Sequence, residues 1–181
     1  MKKTQSGRSM VEMLGVLAIV GVLSLGGIAG YTKAMEVYKK NRTMNLIKEL
    51  VVGIRNATFQ DANIFKYEGI DNEKLISSNI VDKDLLIQGN IHGHKLINPF
   101  HGDLEVDNSE QNLSFIISID KIPFPACLDI AISTWDKRDE YNLYSMKIES
   151  ERYYVQDEDS VNLEKAMEAC AEESKMTFEF Q

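Results

Sequence analysis

The sequence of 181 residues predicts an α+β fold in which a long N-terminal helix packs on a globular head with an antiparallel sheet. Residues 9–58 contain no proline and keep apolar spacings compatible with a helix. Later segments alternate apolar and polar residues with the period of strands. We therefore divide the chain into residues 1–7, a helix over 8–58 and a head over 59–181.

The first half of the predicted helix is an uncharged apolar run. Met13 to Tyr31 covers nineteen residues, or about 28 Å at ~1.5 Å per residue, which is close to the ~30 Å hydrocarbon core of a bilayer. This run is longer than the core of a secretory signal, and no small-residue cleavage site follows it. We therefore expect residues 8–31 to remain as a single transmembrane span. Lys2 and Lys3 favour a cytoplasmic N-terminus, which places the head outside the cytoplasm.

The second half of the helix, residues 32–58, is amphipathic. Its apolar positions recur every three or four residues, and its basic residues lie off that face. We predict that this stripe packs on the head. It consists of Ala34, Val37, Met44, Ile47, Val51 and Ile54.

Glycines mark two features of the apolar run. Gly26 and Gly27 are adjacent, and each glycine costs about 1 kcal/mol relative to alanine in a helix, so this is the expected hinge. Gly26 and Gly30 form a small-xxx-small pair that lets two helices approach closely. Such glycines are also common in any membrane helix, so the packing role is one of two interpretations.

The segment GRSMVE, Gly7 to Glu12, followed by the apolar run, resembles the processing site of type IV prepilins. The resemblance implies that prepilin peptidase cuts between Gly7 and Arg8 and that the new amine of Arg8 is methylated. Glu12 is then the fifth mature residue, and it pairs with the N-terminal amine of a neighbouring subunit to set the axial register. Arg8 departs from the Phe, Met or Leu usual in the family. Glu12 is also favourable as an acid at a helix start, and a plain single-span anchor is the alternative for the whole segment.

The head is predicted to begin with an irregular connector over residues 56–100 that contains one short helix. Turn residues, alternation and capping signals predict the elements that follow. The predictions are a helix at 72–77, a strand after the turns of residues 97–102, a strand at 113–119, a helix at 124–135, a hairpin at 142–156, a helix capped by Ser160 and a final strand at 175–180.

The order of motifs in the head resembles that of type IVb pilins. NPFHG is followed by a strand, then by IPFPAC, then by a second cysteine and a terminal strand. His101 replaces the first glycine of the more usual NPxGG. The resemblance implies a C-terminal region bounded by the two cysteines.

Cys127 and Cys170 are the two cysteines of the chain. Both follow the membrane segment, and disulfides persist outside the cytoplasm. A bridge would close a loop of roughly 44 residues, worth on the order of 3–4 kcal/mol. Two buried free thiols are the alternative.

The charge is divided unevenly. Residues 1–60 carry nine Lys and Arg against three Asp and Glu, net +6, whereas residues 61–181 carry eleven against twenty-five, net −14. Nucleic-acid binding needs a basic patch, so we expect no nucleic-acid partner for this acidic head.

Two clusters contain residue types that can bind a metal ion. His92, His94 and His101 lie within ten residues, but no acid or cysteine stands at a ligand spacing, so solvated loop histidines are the preferred interpretation. The run Asp157–Asp159 with Glu164 lacks a calcium-loop pattern. No nucleophile motif or phosphate loop is present. We predict no enzyme activity, no cofactor and no bound metal.

The resemblance implies a structural subunit of a type IVb-like pilus. The precursor would sit in the bacterial inner membrane, be cleaved, and polymerise through the pilus assembly machinery into a surface filament for adhesion, aggregation or conjugation. A minor pilin or a type II secretion pseudopilin is the alternative within the family. A monomeric membrane-anchored extracytoplasmic binding domain is the alternative from another class.

Overall fold

The computed structural model describes residues 10–58, 67–81, 86–87, 95–109, 113–133, 135, 141–155 and 161–181. The chain divides into two compact units, Met1–Tyr38 and Lys39–Gln181. Helix α1, Met10–Thr58, contributes to both.

In the first unit, every described residue belongs to α1. Among the described residues, α1 alone is long and apolar enough to cross a membrane, with a mean hydropathy of 2.2 in its most apolar window. Its large apolar side chains, such as Leu17, Leu23 and Ile28, are exposed. The predicted apolar helix is therefore present.

Among the described residues, the second unit contains an antiparallel sheet, three short helices and the C-terminal part of α1. The elements after α1 are α2 (Asn72–Ser77), β1 (Leu86–Ile87), β2 (Lys95–Ile97), β3 (Asp103–Asn108), β4 (Phe115–Pro123), α3 (Phe124–Ala131), β5 (Leu143–Ile148), β6 (Glu151–Tyr154), α4 (Leu163–Ala169) and β7 (Glu173–Phe180). The strands lie in the order β1-β2-β3-β4-β7-β5-β6, so the last strand of the chain lies inside the sheet, between β4 and β5.

The core lies between α1 and one face of the sheet. Ile47, Val51 and Ile54 are almost completely buried, as the stripe predicted, and Leu46 and Leu50 join them on the same side. The other half of the core comes from alternate residues of the central strands. These are Phe115, Ile117 and Ile119 of β4 and Met176, Phe178 and Phe180 of β7.

The prediction that the whole apolar stripe packs on the head is wrong for two of its residues. Ala34 and Val37 are exposed. Both precede Lys39, the residue at which the second unit begins. Helical periodicity alone does not show where along a helix the packed part starts.

Three element predictions in the head also need correction. β4 begins at Phe115 rather than residue 113, and Leu113 is exposed. α3 ends at Ala131, four residues earlier than predicted. The last helix was predicted to be capped by Ser160, but it starts later, at Leu163. Its cap is Asn162, whose side chain accepts a hydrogen bond from the main-chain amide of Lys165.

The connector is more ordered than predicted, since it contains β1 and β2 as well as the expected α2. β1 and β2 have only two and three residues, too few to show an alternating pattern. The hairpin of β5 and β6 and the final strand β7 are confirmed.

Candidate assembly surface

Gly7 and Arg8, the residues of the predicted cleavage and methylation site, lie outside the described residues. Glu12 lies in the first turn of α1 and is exposed. Among the described residues, no cation forms an ion pair with its carboxylate. An acid in the first turn is favoured by the helix dipole. An acid at the edge of hydrocarbon also needs a partner, and the described part of the chain supplies none.

Among the described residues, the glycines of the apolar run have no neighbours that require their small size. A Cβ built on Gly26, Gly27 or Gly30 would meet no other atom within 4 Å. The helix is also continuous through Gly26 and Gly27. By contrast, a Cβ on Gly53 would collide with the side chain of Ile80, so this glycine is explained by packing inside the head.

Cys127 and Cys170 form a disulfide with a Cα–Cα distance of 6.0 Å across a sequence separation of 43 residues. It joins α3 to the residue that follows α4. Both cysteines are buried. The predicted bridge is therefore confirmed. The segment between the two cysteines contains Trp135, whose indole N–H donates a hydrogen bond to the main-chain carbonyl of Ile130 at 2.8 Å.

Three cations on one flank of α1 hold the C-terminal part of the head. Lys40 Nζ lies 2.6 Å from a carboxylate oxygen of Asp129 on α3. Lys48 Nζ lies 5.3 Å from the centre of the Tyr141 ring. Arg55 donates to the carbonyls of Tyr141 and Gln181 at 2.7 and 2.6 Å. The sequence contained one indication of these contacts, the seven- to eight-residue spacing of the three basic positions, but it did not identify their partners.

The face of the sheet opposite the core is polar. Glu179 on β7 accepts hydrogen bonds from the hydroxyls of Ser114 and Ser145 at 2.8 and 2.9 Å and from Arg152 at 3.0 Å. Three strands and the segment before β4 are thus tied by one carboxylate. The next row of this face pairs Ser118 with Thr177.

A cavity of about 230 Å³ opens beside the β5–β6 hairpin. Apolar and aromatic residues, among them Trp135, Leu143, Met146 and Tyr153, line the cavity together with polar atoms. Burial raises the pKa of Tyr153 above its ordinary value, and the nearby carboxylate of Glu151 adds to this effect.

The histidine and acidic clusters do not form a metal site in the described part of the chain. His101 occupies an exposed turn with φ of 66°, whereas His92, His94 and Asp157–Asp159 lie outside the described residues. Glu164 is exposed on α4. No group of three or more metal-ligating side chains occurs among the described residues.

The architecture has a counterpart among solved structures. The type IV b pilin from Salmonella typhi superposes with a TM-score of 0.59 at 17% identity, covering 77% of this chain and 97% of that one. A helix on an antiparallel sheet with this disulfide-bounded end therefore has the fold of a type IVb pilin. The chain belongs to the family described as PilS N terminal, whose model matches residues 37–180. Proteins of this family and fold are structural subunits rather than enzymes.

Curated relatives agree with this classification. Two of them are each called "Major structural subunit of bundle-forming pilus", one from Escherichia coli O127:H6 (strain E2348/69 / EPEC) and one from Escherichia coli O111:H-. Each is 24% identical over 132 residues, which is 72% of this chain. The match spans 65% of each relative, slightly less than two thirds of its length.

Proposed function

We propose that this protein is a structural subunit of a type IVb-like pilus. In this proposal the precursor is a single-pass inner-membrane protein with its head outside the cytoplasm. Prepilin peptidase cuts between Gly7 and Arg8, and the assembly machinery then polymerises the mature subunit into a surface filament. Adhesion, aggregation or conjugation would follow from the polymer.

The observation that carries the proposal is the unpartnered apolar helix of a chain with a pilin fold. The large side chains from Met13 to Tyr31 are exposed, and a Cβ added to any of the glycines between them would meet no atom of the described residues outside the neighbouring helix backbone within 4 Å. Lipid can cover this surface before assembly, and the helices of other copies can cover it in a filament. Membrane and filament are thus alternative surroundings for one surface.

Glu12 has a specific role in this proposal. Its carboxylate pairs with the methylated amine of Arg8 in the next subunit, and the pair forms at one axial register only. A buried charge that loses its partner is strongly unfavourable, so the pair would select the correct register. The exposure of Glu12 and the lack of an ion-pair partner among the described residues support this role.

The deciding experiment is intact-mass and N-terminal peptide analysis of the protein from native membranes and from sheared surface fibres. We expect a chain that starts at methylated Arg8 and is abundant in the fibres. A chain that keeps residues 1–7 and is absent from fibres would refute the proposal and favour a membrane-anchored binding domain. Processed chains at a few copies per fibre would instead indicate a minor pilin or a pseudopilin.

A second experiment tests Glu12 itself. Glu12→Gln removes the charge and keeps the shape, so we expect normal insertion and cleavage but a severe loss of fibres. Glu49→Gln is the matched control, since Glu49 is also an exposed acid on α1. Equal fibre yields from the two variants would show that Glu12 does not set the register.

A further inference from the structure

The outer side of α4 combines exposed apolar and acidic side chains. Leu163 and Met167 lie four residues apart and are each 55% exposed, while Ala166 on the other side of the helix is buried. Glu164 and Glu168 flank the apolar pair and are also exposed. We call Leu163, Glu164, Met167 and Glu168 the α4 face.

This face is unfavourable in an isolated subunit. Like charges at i and i+4 destabilise a helix by about 0.2–0.5 kcal/mol, and within the described part of the chain neither Glu164 nor Glu168 forms an ion pair. Large exposed apolar side chains beside them add to the cost. Clustered exposed apolar side chains with a polar rim are typical of a protein-binding surface.

The charge of the face restricts its partner. Residues 61–181 carry a net charge of −14, so an acidic face is repelled by the head of another copy. A suitable surface would combine exposed apolar side chains with cations.

The segment Lys33–Lys39 of α1 has this combination. Val37 is 43% and Tyr38 is 62% exposed. Lys39 forms no ion pair with a described residue, and Lys33 is joined to Glu36 at 3.5 Å by a pair in which both side chains are exposed. An exposed ion pair of this kind contributes little to stability, so Lys33 can exchange Glu36 for another acidic partner at little cost.

The other helix cations near this segment are already engaged. Lys40 pairs with Asp129, and Arg42 pairs with Glu49. Lys48 lies over the ring of Tyr141. The available positive charge of α1 is therefore concentrated at Lys33 and Lys39, next to its exposed Val37 and Tyr38.

We propose that the α4 face of one copy docks on the Lys33–Lys39 segment of α1 in a second copy. The inference rests on the proposed function, because polymerisation brings the two surfaces together. The contact joins different surfaces of the two copies, so it is heterologous and can propagate along an open filament. Leu163 and Met167 would cover Val37 and Tyr38, with Glu164 and Glu168 facing the lysines.

Cysteine cross-linking tests the contact. Full-length chains with Met167→Cys and with Val37→Cys are co-expressed, and both membranes and fibres are oxidised. We expect a disulfide-linked dimer of the two variants on a non-reducing gel. Val52→Cys replaces Val37→Cys in the control, since Val52 is 48% exposed on α1 but lies outside the segment.

A dimer from the Met167 and Val37 pair alone supports the contact. No dimer in either preparation, or equal dimer from the control pair, would overturn it. The membrane sample also separates the two proposals. A specific dimer in the membranes of cells that make no fibres would support the docking contact and contradict the pilus function. Normal fibres without a dimer would support the pilus function and contradict the docking contact.

Charge exchange supplies an independent test. Glu164→Lys with Glu168→Lys should lower the dimer yield about tenfold or more, since opposed like charges cost over ~1.4 kcal/mol. Adding Lys33→Glu with Lys39→Glu to the same chain should restore it. Glu68→Lys with Glu73→Lys makes the same change in net charge at exposed positions and should have no effect. Failure of the exchange to restore the yield would contradict the proposed pairing.

Discussion

The side-chain amide of Asn98 donates a hydrogen bond to the main-chain carbonyl of Asp120 at 2.7 Å and so joins the loop after β2 to β4. The main-chain carbonyl of Asp120 can accept this bond because β4 contains a bulge between Ile119 and Ile122, where Lys121 has a φ of 54°. The carboxylate of Asp120 in turn accepts a bond from the amide of Asp103. The NPFHG segment is thereby held against a strand some twenty residues further along the chain.

Asn98 should be among the most sensitive polar residues of the head. It is buried, and its side-chain oxygen Oδ1 accepts bonds from the main-chain amides of Phe100 and Gly102 at 2.8 and 3.3 Å. Asn98→Ala leaves these donors without partners, which we expect to cost about 2–4 kcal/mol of unfolding free energy. Urea unfolding of the full chain in detergent, followed by the fluorescence of Trp135, measures the change. Asn45→Ala, at an exposed position, is the control, and equal midpoints for the two variants would contradict the role of Asn98.

Gly102 and Gly53 should respond differently to alanine. A Cβ on Gly102 would collide with the main-chain carbonyl of Asp120, whereas on Gly53 it would collide with the Cγ2 methyl group of the Ile80 side chain. Backbone atoms move less readily than a side chain does to relieve a collision. In addition, alanine is more favourable than glycine by about 1 kcal/mol inside a helix, and Gly53 lies inside α1. We expect Gly102→Ala to lower the unfolding free energy by about 1–3 kcal/mol and Gly53→Ala by less. The same urea titration decides, and the reverse order would refute the argument.

The disulfide should contribute strongly to the stability of the head. Replacing Cys127 and Cys170 together by alanine releases a loop of 43 residues in sequence separation, and we expect a loss of about 3–4 kcal/mol. The unfolding free energy of this variant is compared with that of the oxidised chain. An unchanged midpoint at an unchanged denaturant slope would show that the bridge adds nothing.

Tyr153 should make the head less stable at alkaline pH. Burial, and then the charge of Glu151, raises its pKa in the folded state. The phenol is neutral in both states near pH 7, so it adds no pH dependence there. Above the unfolded value of about 10, the unfolded chain loses its proton first, and stability falls with pH until the folded phenol also ionises.

Titration of phenolate absorbance in the wild type and in Tyr153→Phe measures this effect. The difference between the two curves should have a midpoint above that of an exposed tyrosine. The decline in stability at high pH should be smaller in Tyr153→Phe. A difference curve centred on the ordinary tyrosine value would contradict the prediction.

The glycines of the apolar run should matter to assembly and not to the head. Gly26 has no neighbour within 4 Å for an added Cβ, so Gly26→Ala and Gly26→Leu should leave the unfolding of the head unchanged. If helices of neighbouring copies approach at the Gly26 and Gly30 pair, leucine should reduce the fibre yield and alanine should not. Equal yields would show that close helix approach does not involve this position.

The periodic parts of the chain could be predicted from the sequence. The nineteen uncharged residues from Met13 to Tyr31 already require an apolar environment. The alternation of Met176, Phe178 and Phe180 predicted a strand with one buried face, and all three are buried. Such patterns depend on neighbours in sequence, so no knowledge of the fold is needed to recognise them.

Other features were decided only by the tertiary structure. Val37 and Ile47 look alike in the helical pattern, but only Ile47 is buried. Asn98 and Asp120 become partners because β3 pairs with β4 and a bulge turns Asp120 towards the loop. Thus the sequence by itself determined the apolar helix and the main strands, since local periodicity specifies them. It identified the two cysteines, but free thiols remained the alternative until the structure joined them. The extent of helix packing and the polar contacts between distant segments depended on which surfaces the folded sheet brings together.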